Sequence, residues 1–350
     1  MLLLNKIRGE VDTDYNLSFV RHRYKPVLRS IPSAAGHYLL EKAPIISWLP
    51  QYSYKWLLND LIAGLTLGVM LIPQGLAYAK IATIPVEYGL MSSWLPAAIY
   101  AVMGTSKDLS TGPTSILGLL TANIISELVT EGYRPEVISA AVATMVGVYS
   151  LALGGLKLGW ILDFISYPVL NGFISAAAIV IMLGQVDSLF GLDFDSGPAN
   201  IIRSFFTQLG DTDPATFGVG FSGIILLQGL QWLGRKWGKK SKIIWFLSIS
   251  RAAVALLLYT GISYGVNKNR IDNPIFAISE VKASGIVPPR FPDPNLISKV
   301  AGRSIAPLIA AALEHIAIAK AFGARNGYVI DTSQELVYLG TTNFFNSFFS

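Results

Sequence analysis

Ile305-Ala-Pro-Leu-Ile-Ala-Ala-Ala-Leu-Glu314-His-Ile-Ala-Ile-Ala319 is an apolar run of membrane-helix character with one carboxylate near its middle. A charged side chain at the centre of a bilayer costs roughly 2.5–3.5 kcal/mol on insertion scales, so such a residue reads first as part of an ion or proton pathway. The alternative is a buried structural glutamate, hydrogen-bonded to a neighbouring helix. Both readings put Glu314 inside a membrane protein, turned towards protein and away from lipid.

The rest of the chain agrees. Of its 350 residues 52% are hydrophobic and only 14% charged, where a soluble domain carries about a quarter charged. Apolar segments near the roughly 20 residues that a helix needs to cross a bilayer fall at 57–79, 87–103, 113–128, 136–156, 163–186, 214–233, 243–265, 303–322 and 335–349. The expected fold is an all-α polytopic membrane protein. Residues 1–56, with Pro26, Pro32, Pro44 and Pro50, read as a cytosolic lead-in. Residues 57–265 read as a seven-span unit, 266–299 as an external loop, and 300–350 as the first two spans of a second unit. A short interfacial helix is expected over 197–210. Met1-Leu-Leu-Leu is too short for a signal-peptide core, so the N-terminus is expected to be retained.

The net charge of +5 has a topological explanation. Lys6, Arg8, Arg21, Arg23, Lys25, Arg29, Lys42 and Lys55 precede the first span. Arg235, Lys236, Lys239, Lys240 and Lys242 form a second cluster six spans later. An even number of crossings puts both on one side, which the positive-inside rule makes the cytosol. Asp187, Asp193, Asp195, Asp211 and Asp213 then lie outside. No aromatic-interleaved basic groove accompanies the cations, so nucleic acid is not an expected partner.

Several chemistries are disfavoured. The absence of cysteine removes disulfides, thiolate metal sites and cysteine catalysis. His22, His37 and His315 offer little for a metal centre, and neither a paired aspartate for intramembrane proteolysis nor a nucleophile elbow is present. The sequence therefore reads as neither an enzyme nor a cofactor protein. Gly218-Val-Gly-Phe-Ser-Gly223 spells a dinucleotide fingerprint, but it lies inside an apolar span with no preceding strand. Close helix packing explains it better. Arg251 lies near the cytosolic end of its span, where its stem can snorkel.

Gln74-Gly-Leu-Ala-Tyr-Ala-Lys80 lines up with Glu314-His-Ile-Ala-Ile-Ala-Lys320: a polar residue, alanines three and five positions later, and a lysine six later. The two spans run in opposite directions by the topology above, the arrangement of inverted-repeat transporters with a midplane substrate site. Between Lys107 and Ser115 the chain is polar, and Gly112-Pro113 reads as a helix start with proline at the first helical position. The amides and hydroxyls of Thr114 and Ser115 would then be free donors at the positive end of a helix dipole, an anion site if buried at mid-membrane. An ordinary helix start in a cytosolic loop is the other reading. Gln74 and Tyr78, four apart on one face, could hydrogen-bond an oxyanion or serve as packing partners between helices.

Asp60-Leu-Ile-Ala-Gly-Leu-Thr66, Ile72-Pro-Gln-Gly-Leu-Ala-Tyr-Ala-Lys80, Pro85-Val-Glu-Tyr-Gly-Leu90, Gly104-Thr-Ser-Lys-Asp108 with Gly112-Pro113, and Asn326-Gly-Tyr-Val-Ile-Asp-Thr-Ser-Gln-Glu-Leu336 together resemble the SulP sulfate permeases, over residues from about 43 to the end. The lead-in Ile46-Ser-Trp-Leu-Pro-Gln-Tyr52 is similar to that of fungal members. The resemblance implies a seven-plus-seven inverted-repeat fold with core and gate subdomains, usually homodimeric, followed by a STAS domain. It implies proton-coupled uptake of sulfate or a related oxyanion across the bilayer, with Gln74, Tyr78, Pro113, Thr114 and Ser115 as site residues for the substrate and Glu314 for the proton. By the repeat spacing (Glu87 to Pro113, carried onto Gln334) the facing second half-helix would start near position 360. The chain is therefore expected to be the N-terminal part of a transporter, without a STAS domain and unable to transport alone.

Overall fold

The computed structural model describes residues 42–164, 167–192, 194, 198–270, 275–276 and 288–349. Most of the N-terminal lead-in, with His22 and His37, and most of the expected loop 266–299 lie outside the described residues. The helices are α1 (Tyr54–Ile81), α2 (Val86–Met103), α3 (Ser115–Leu128), α4 (Pro135–Gly155), α5 (Tyr167–Leu183), α6 (Val186–Phe190), α7 (Pro198–Gln208), α8 (Pro214–Trp237), α9 (Lys242–Ile249), α10 (Arg251–Asn267), α11 (Pro294–Val300), α12 (Ile305–Asn326) and α13 (Thr332–Asn346). No β-strand occurs among the described residues.

Side-chain chemistry sets several of these boundaries. Ser53 caps α1 by accepting from the Trp56 amide, and Asp331 caps α13 by accepting from the amides of Ser333 and Gln334. Asp213 caps α8, taking hydrogen bonds from the Thr216 hydroxyl and from the amides of Ala215 and Thr216. These donors, the hydroxyl foremost, hold its carboxyl below the usual carboxylate range.

Helices α1, α4, α8 and α12 are each long and apolar enough to cross a bilayer. The expected continuous span over 243–265 is instead two helices, α9 and α10, meeting at an angle of 73°. The chain breaks at Ser250, whose ψ of 17° leaves the helical range. Arg251 donates from its guanidinium to the Ser248 carbonyl across the break, 3.1 Å away, which gives this cation a structural use. Helix α3 has 14 residues and α13 has 15, or about 21 and 23 Å at 1.5 Å per residue, short of a bilayer core of about 30 Å.

Burial divides the molecule. Ile125, Leu128, Ile138, Ala141, Leu296 and Val300 join α3, α4 and α11 in one apolar cluster, while Tyr100, Ala311, Ala312, Ala319, Leu336 and Tyr338 join α2, α12 and α13 in another. Half of the apolar window of α4 is buried, against 6% for α1 and none for α8. The exposed faces of α1, α8, α9 and α10 carry Leu61, Leu65, Ile225, Trp245 and Leu257, side chains suited to a lipid solvent. Of the three glycines that spell the false fingerprint, Gly220 is the one with a close neighbour, a leucine side chain. A Cβ there would meet Leu189 Cδ1 at 2.7 Å, whereas Gly218 faces open space.

The α1–α2 crossing depends on two further glycines. A Cβ on Gly89 would lie 2.1 Å from the Gly75 carbonyl oxygen, and one on Gly75 would lie 2.8 Å from that of Gly89. This contact fixes the register of the helix that carries Gln74 and Tyr78. Gly89→Val is expected to destabilise the fold by about 3 kcal/mol or more, because backbone cannot yield as a side chain can. The check is the yield and thermal midpoint of the purified protein; a wild-type midpoint would refute it.

Candidate functional site

The cap of α3 is the starting point. The helix begins at Ser115, two residues later than the proline rule places it, and Pro113 precedes the cap residue instead of opening the helix. Thr114 takes the cap position because its extended backbone lets its hydroxyl accept from the Leu117 amide. The first-turn amides left without an intrahelical acceptor are therefore those of Ser115 and Ile116.

The depth of this terminus follows from its partner. Glu314 is the tenth of the 22 residues of α12, about 14 Å from one end and about 18 Å from the other. The Thr114 hydroxyl interacts with the Glu314 carboxylate. Helix α3 thus starts beside the middle of α12, and the extended stretch from Gly104 to Thr114 brings the chain to that level.

A cavity of about 240 Å³ lies at this junction, lined by Tyr78 from α1, Pro113 and Thr114 at the α3 start, and Glu314 and His315 from α12, with Thr342, Asn343 and Asn346 from α13. Glu136, paired with Arg134 at the start of α4, lines it as well. Glu314 Oε2 and Asn346 Oδ1 are buried with no hydrogen-bond partner on the protein. Buried polar groups are normally paired, so two orphaned acceptors on this wall stand out.

Four of the six residues singled out by sequence, Tyr78, Pro113, Thr114 and Glu314, meet at this cavity. Gln74 and Ser115 are absent from its lining. Gln74 is exposed and its amide donates to the Tyr78 hydroxyl, 3.3 Å away, so it bears on the cavity through the phenol. Sequence reasoning passed over Glu335, which is fully buried on α13 and bonded to His315. The signal was present: Glu335 is a second carboxylate at the head of a predicted span. Its importance lies in contacts with residues 20 and 230 positions away, which no local pattern reveals.

A half-length helix meeting a cavity beside a membrane carboxylate fits a polytopic membrane protein of transporter type. The sulfate permease family matches residues 57–350, and the chain belongs to that family. It is 36% identical over 324 residues to a probable sulfate permease of Schizosaccharomyces pombe, covering 89% of this chain and 37% of that one. Sulfate permease 1 of Saccharomyces cerevisiae is 32% identical over 348 residues, covering 90% and 40% respectively. The murine anion transporter Slc26a9, solved in its inward-facing state, superposes with a TM-score of 0.78 at 25% identity, covering 89% of this chain and 54% of that one. The chain thus spans about two fifths of the length of these curated permeases.

Proposed function

We propose that this chain forms the proton- and anion-binding half of a secondary transporter that takes up sulfate or a related oxyanion. The observation that carries the reading is the single cavity shared by the start of α3 and the unpaired Oε2 of Glu314. In this reading the amides of Ser115 and Ile116 and the Thr114 hydroxyl donate to the anion, aided by the positive end of the α3 dipole. Tyr78, held by Gln74, adds a phenolic donor. Pro113 stiffens the approach, leaving no N–H of its own to satisfy.

Glu314 would carry the proton. Protonation from the acidic side removes a negative charge from the cavity that the divalent anion occupies, and the loaded core can then move against the lipid-facing helices by alternating access. The intact protein would sit in the plasma membrane as a homodimer, with the N-terminus and the cluster Arg235–Lys242 in the cytosol, as the positive-inside rule requires. The domain division at 57–265 and 300–350 belongs to the same proposal.

The test is uptake of labelled sulfate, with intracellular pH followed in parallel, in cells that lack their own sulfate uptake and express the intact protein. Proton entry together with sulfate supports the reading. Sulfate flux or current without proton movement would replace it with an exchanger or channel in which Glu314 is structural. Sulfate binding without flux would point to a regulatory membrane protein.

A further inference from the structure

The proton and anion groups of the cavity are held in place by a carboxylate that does not line it. Glu335 is fully buried and accepts four hydrogen bonds. The Thr105 amide donates to Oε1 at 2.8 Å, the Thr105 hydroxyl at 2.5 Å and the Tyr100 hydroxyl at 3.2 Å, while Oε2 lies 2.5 Å from His315 Nε2. Four partners fill the capacity of a carboxylate. The partners come from three separate places: the end of α2, the first residue of the extended approach to α3, and the middle of α12.

Two of those partners lead directly to the site. Thr105 anchors the stretch that ends at the Thr114 cap, and the Asp331 amide donates to the Thr105 hydroxyl at 3.3 Å. His315 is the immediate neighbour of Glu314 and lines the cavity with it. Its ring stacks on Tyr338 at 5.3 Å and meets the edge of Tyr100 at 5.8 Å, so the bond to Glu335 and the two rings leave it one orientation. Further stitches join the same two connections. The hydroxyls of Ser106 and Tyr328 bond at 2.7 Å, the Asn326 amide donates to Asp108 at 2.5 Å, and Gln334 donates to the Met103 carbonyl at 2.9 Å.

A purely structural account explains this poorly. Buried ion pairs and polar clusters can often be replaced by apolar residues of similar volume with no loss of stability, and the two apolar clusters already hold these helices together. We propose that Glu335 is a positioning residue of the transport site: one buried carboxylate sets, at once, the approach to the α3 terminus and the ring of His315 beside Glu314. The inference rests on the transporter reading given above. It adds that anion affinity and proton response share one anchor, although Thr114 and Glu314 serve them separately.

The ionisable groups in contact with the His315–Glu335 pair are Tyr100 on α2 and Tyr338 on α13, with Glu314 next to His315 on α12 and Glu136 on α4 also lining the cavity. In this proposal a change in pH response on altering Glu335 passes through His315 to its neighbour Glu314. Glu335→Gln keeps the shape but removes the charge, and its NH2 group either faces one of the donors to Oε1 or holds His315 in the tautomer that accepts at Nε2.

The test compares the intact wild-type protein with Glu335→Gln, His315→Asn and the double variant. Sulfate binding by the purified proteins and sulfate uptake in cells are both measured across the histidine titration range, with surface abundance counted by immunoblot. Glu335→Gln is expected to weaken sulfate binding by about tenfold or more, the scale of one lost charge-assisted bond, and to displace the pH profile of uptake. His315→Asn should displace the profile with a smaller effect on affinity. The double variant should be no worse than Glu335→Gln alone, because residues acting through one network are not additive.

Wild-type affinity and pH profile in Glu335→Gln, with only abundance reduced, would overturn the proposal. So would single effects that multiply in the double variant. If Glu335→Gln does not accumulate, Glu335→Asp, which keeps the charge on a shorter arm, and His315→Asn carry the same test; unchanged affinity and profile in both would overturn it. Wild-type uptake without any pH dependence would instead remove proton coupling from the function, while the affinity comparison still decides the role of Glu335.

Discussion

Replacing Glu314 by glutamine in the intact protein is expected to abolish the proposed pH-driven sulfate uptake and to leave sulfate binding and sulfate–sulfate exchange measurable. The substitution preserves shape and removes the titratable carboxylate that interacts with the Thr114 hydroxyl on the cavity wall. Because Oε2 has no partner on the protein, no structural bond to that oxygen is broken, so a loss of coupling is separable from a loss of folding. For one coupled proton a pH difference of one unit is worth about 1.4 kcal/mol, or about tenfold in accumulation. The variant should show none of that gain. The measurement is sulfate accumulation against imposed pH difference, together with exchange of labelled sulfate at equal pH. Full proton-driven accumulation by Glu314→Gln would make the carboxylate structural and the proton pathway would have to lie elsewhere.

The second large effect is expected at the α3 cap. Thr114→Phe puts a ring into a cavity of about 240 Å³ and removes the hydroxyl that receives the Leu117 amide. Loss of the cap alone costs about 1 kcal/mol. Blocking the donors should cost far more, with sulfate affinity falling on the order of a hundredfold, the scale of losing two charge-assisted hydrogen bonds. Thr114→Ser keeps the hydroxyl and the cap and should bind nearly as the wild type does. This pair separates the anion site from general damage: the same loss in both variants, or unchanged affinity in Thr114→Phe, would remove the α3 terminus from the binding site.

Much of this arrangement is legible in the residues. Long apolar runs with few charges admit little besides membrane helices, and the expected segments at 57–79, 87–103, 136–156 and 303–322 lie within two residues of α1, α2, α4 and α12 at most of their ends. A lone carboxylate in an alanine-rich span is conspicuous because the bilayer makes it expensive. The polar stretch before Pro113 likewise marked a place where the chain could not be lipid-facing helix.

The misreadings have physical causes. Proline is suited to the first helical position, yet a threonine one residue on can cap the helix with its side chain, and in α3 the cap decides the boundary. The break at Ser250 has no proline to announce it. An apolar window reads the same whether its two halves are collinear or bent by 73°.

By itself the sequence determined the class of solvent, most of the long apolar helices and the presence of an exceptional carboxylate in one of them, because hydrophobicity and the cost of charge in lipid are properties of short segments. The tertiary structure alone decided which polar groups share a cavity, that Gln74 lies outside its lining, and that Glu335 ties Thr105 to His315. Those relations join residues up to 235 positions apart. They arise from helices packing side by side, where a carboxylate bonds whichever donors the fold brings within reach, and no spacing along the chain encodes that distance.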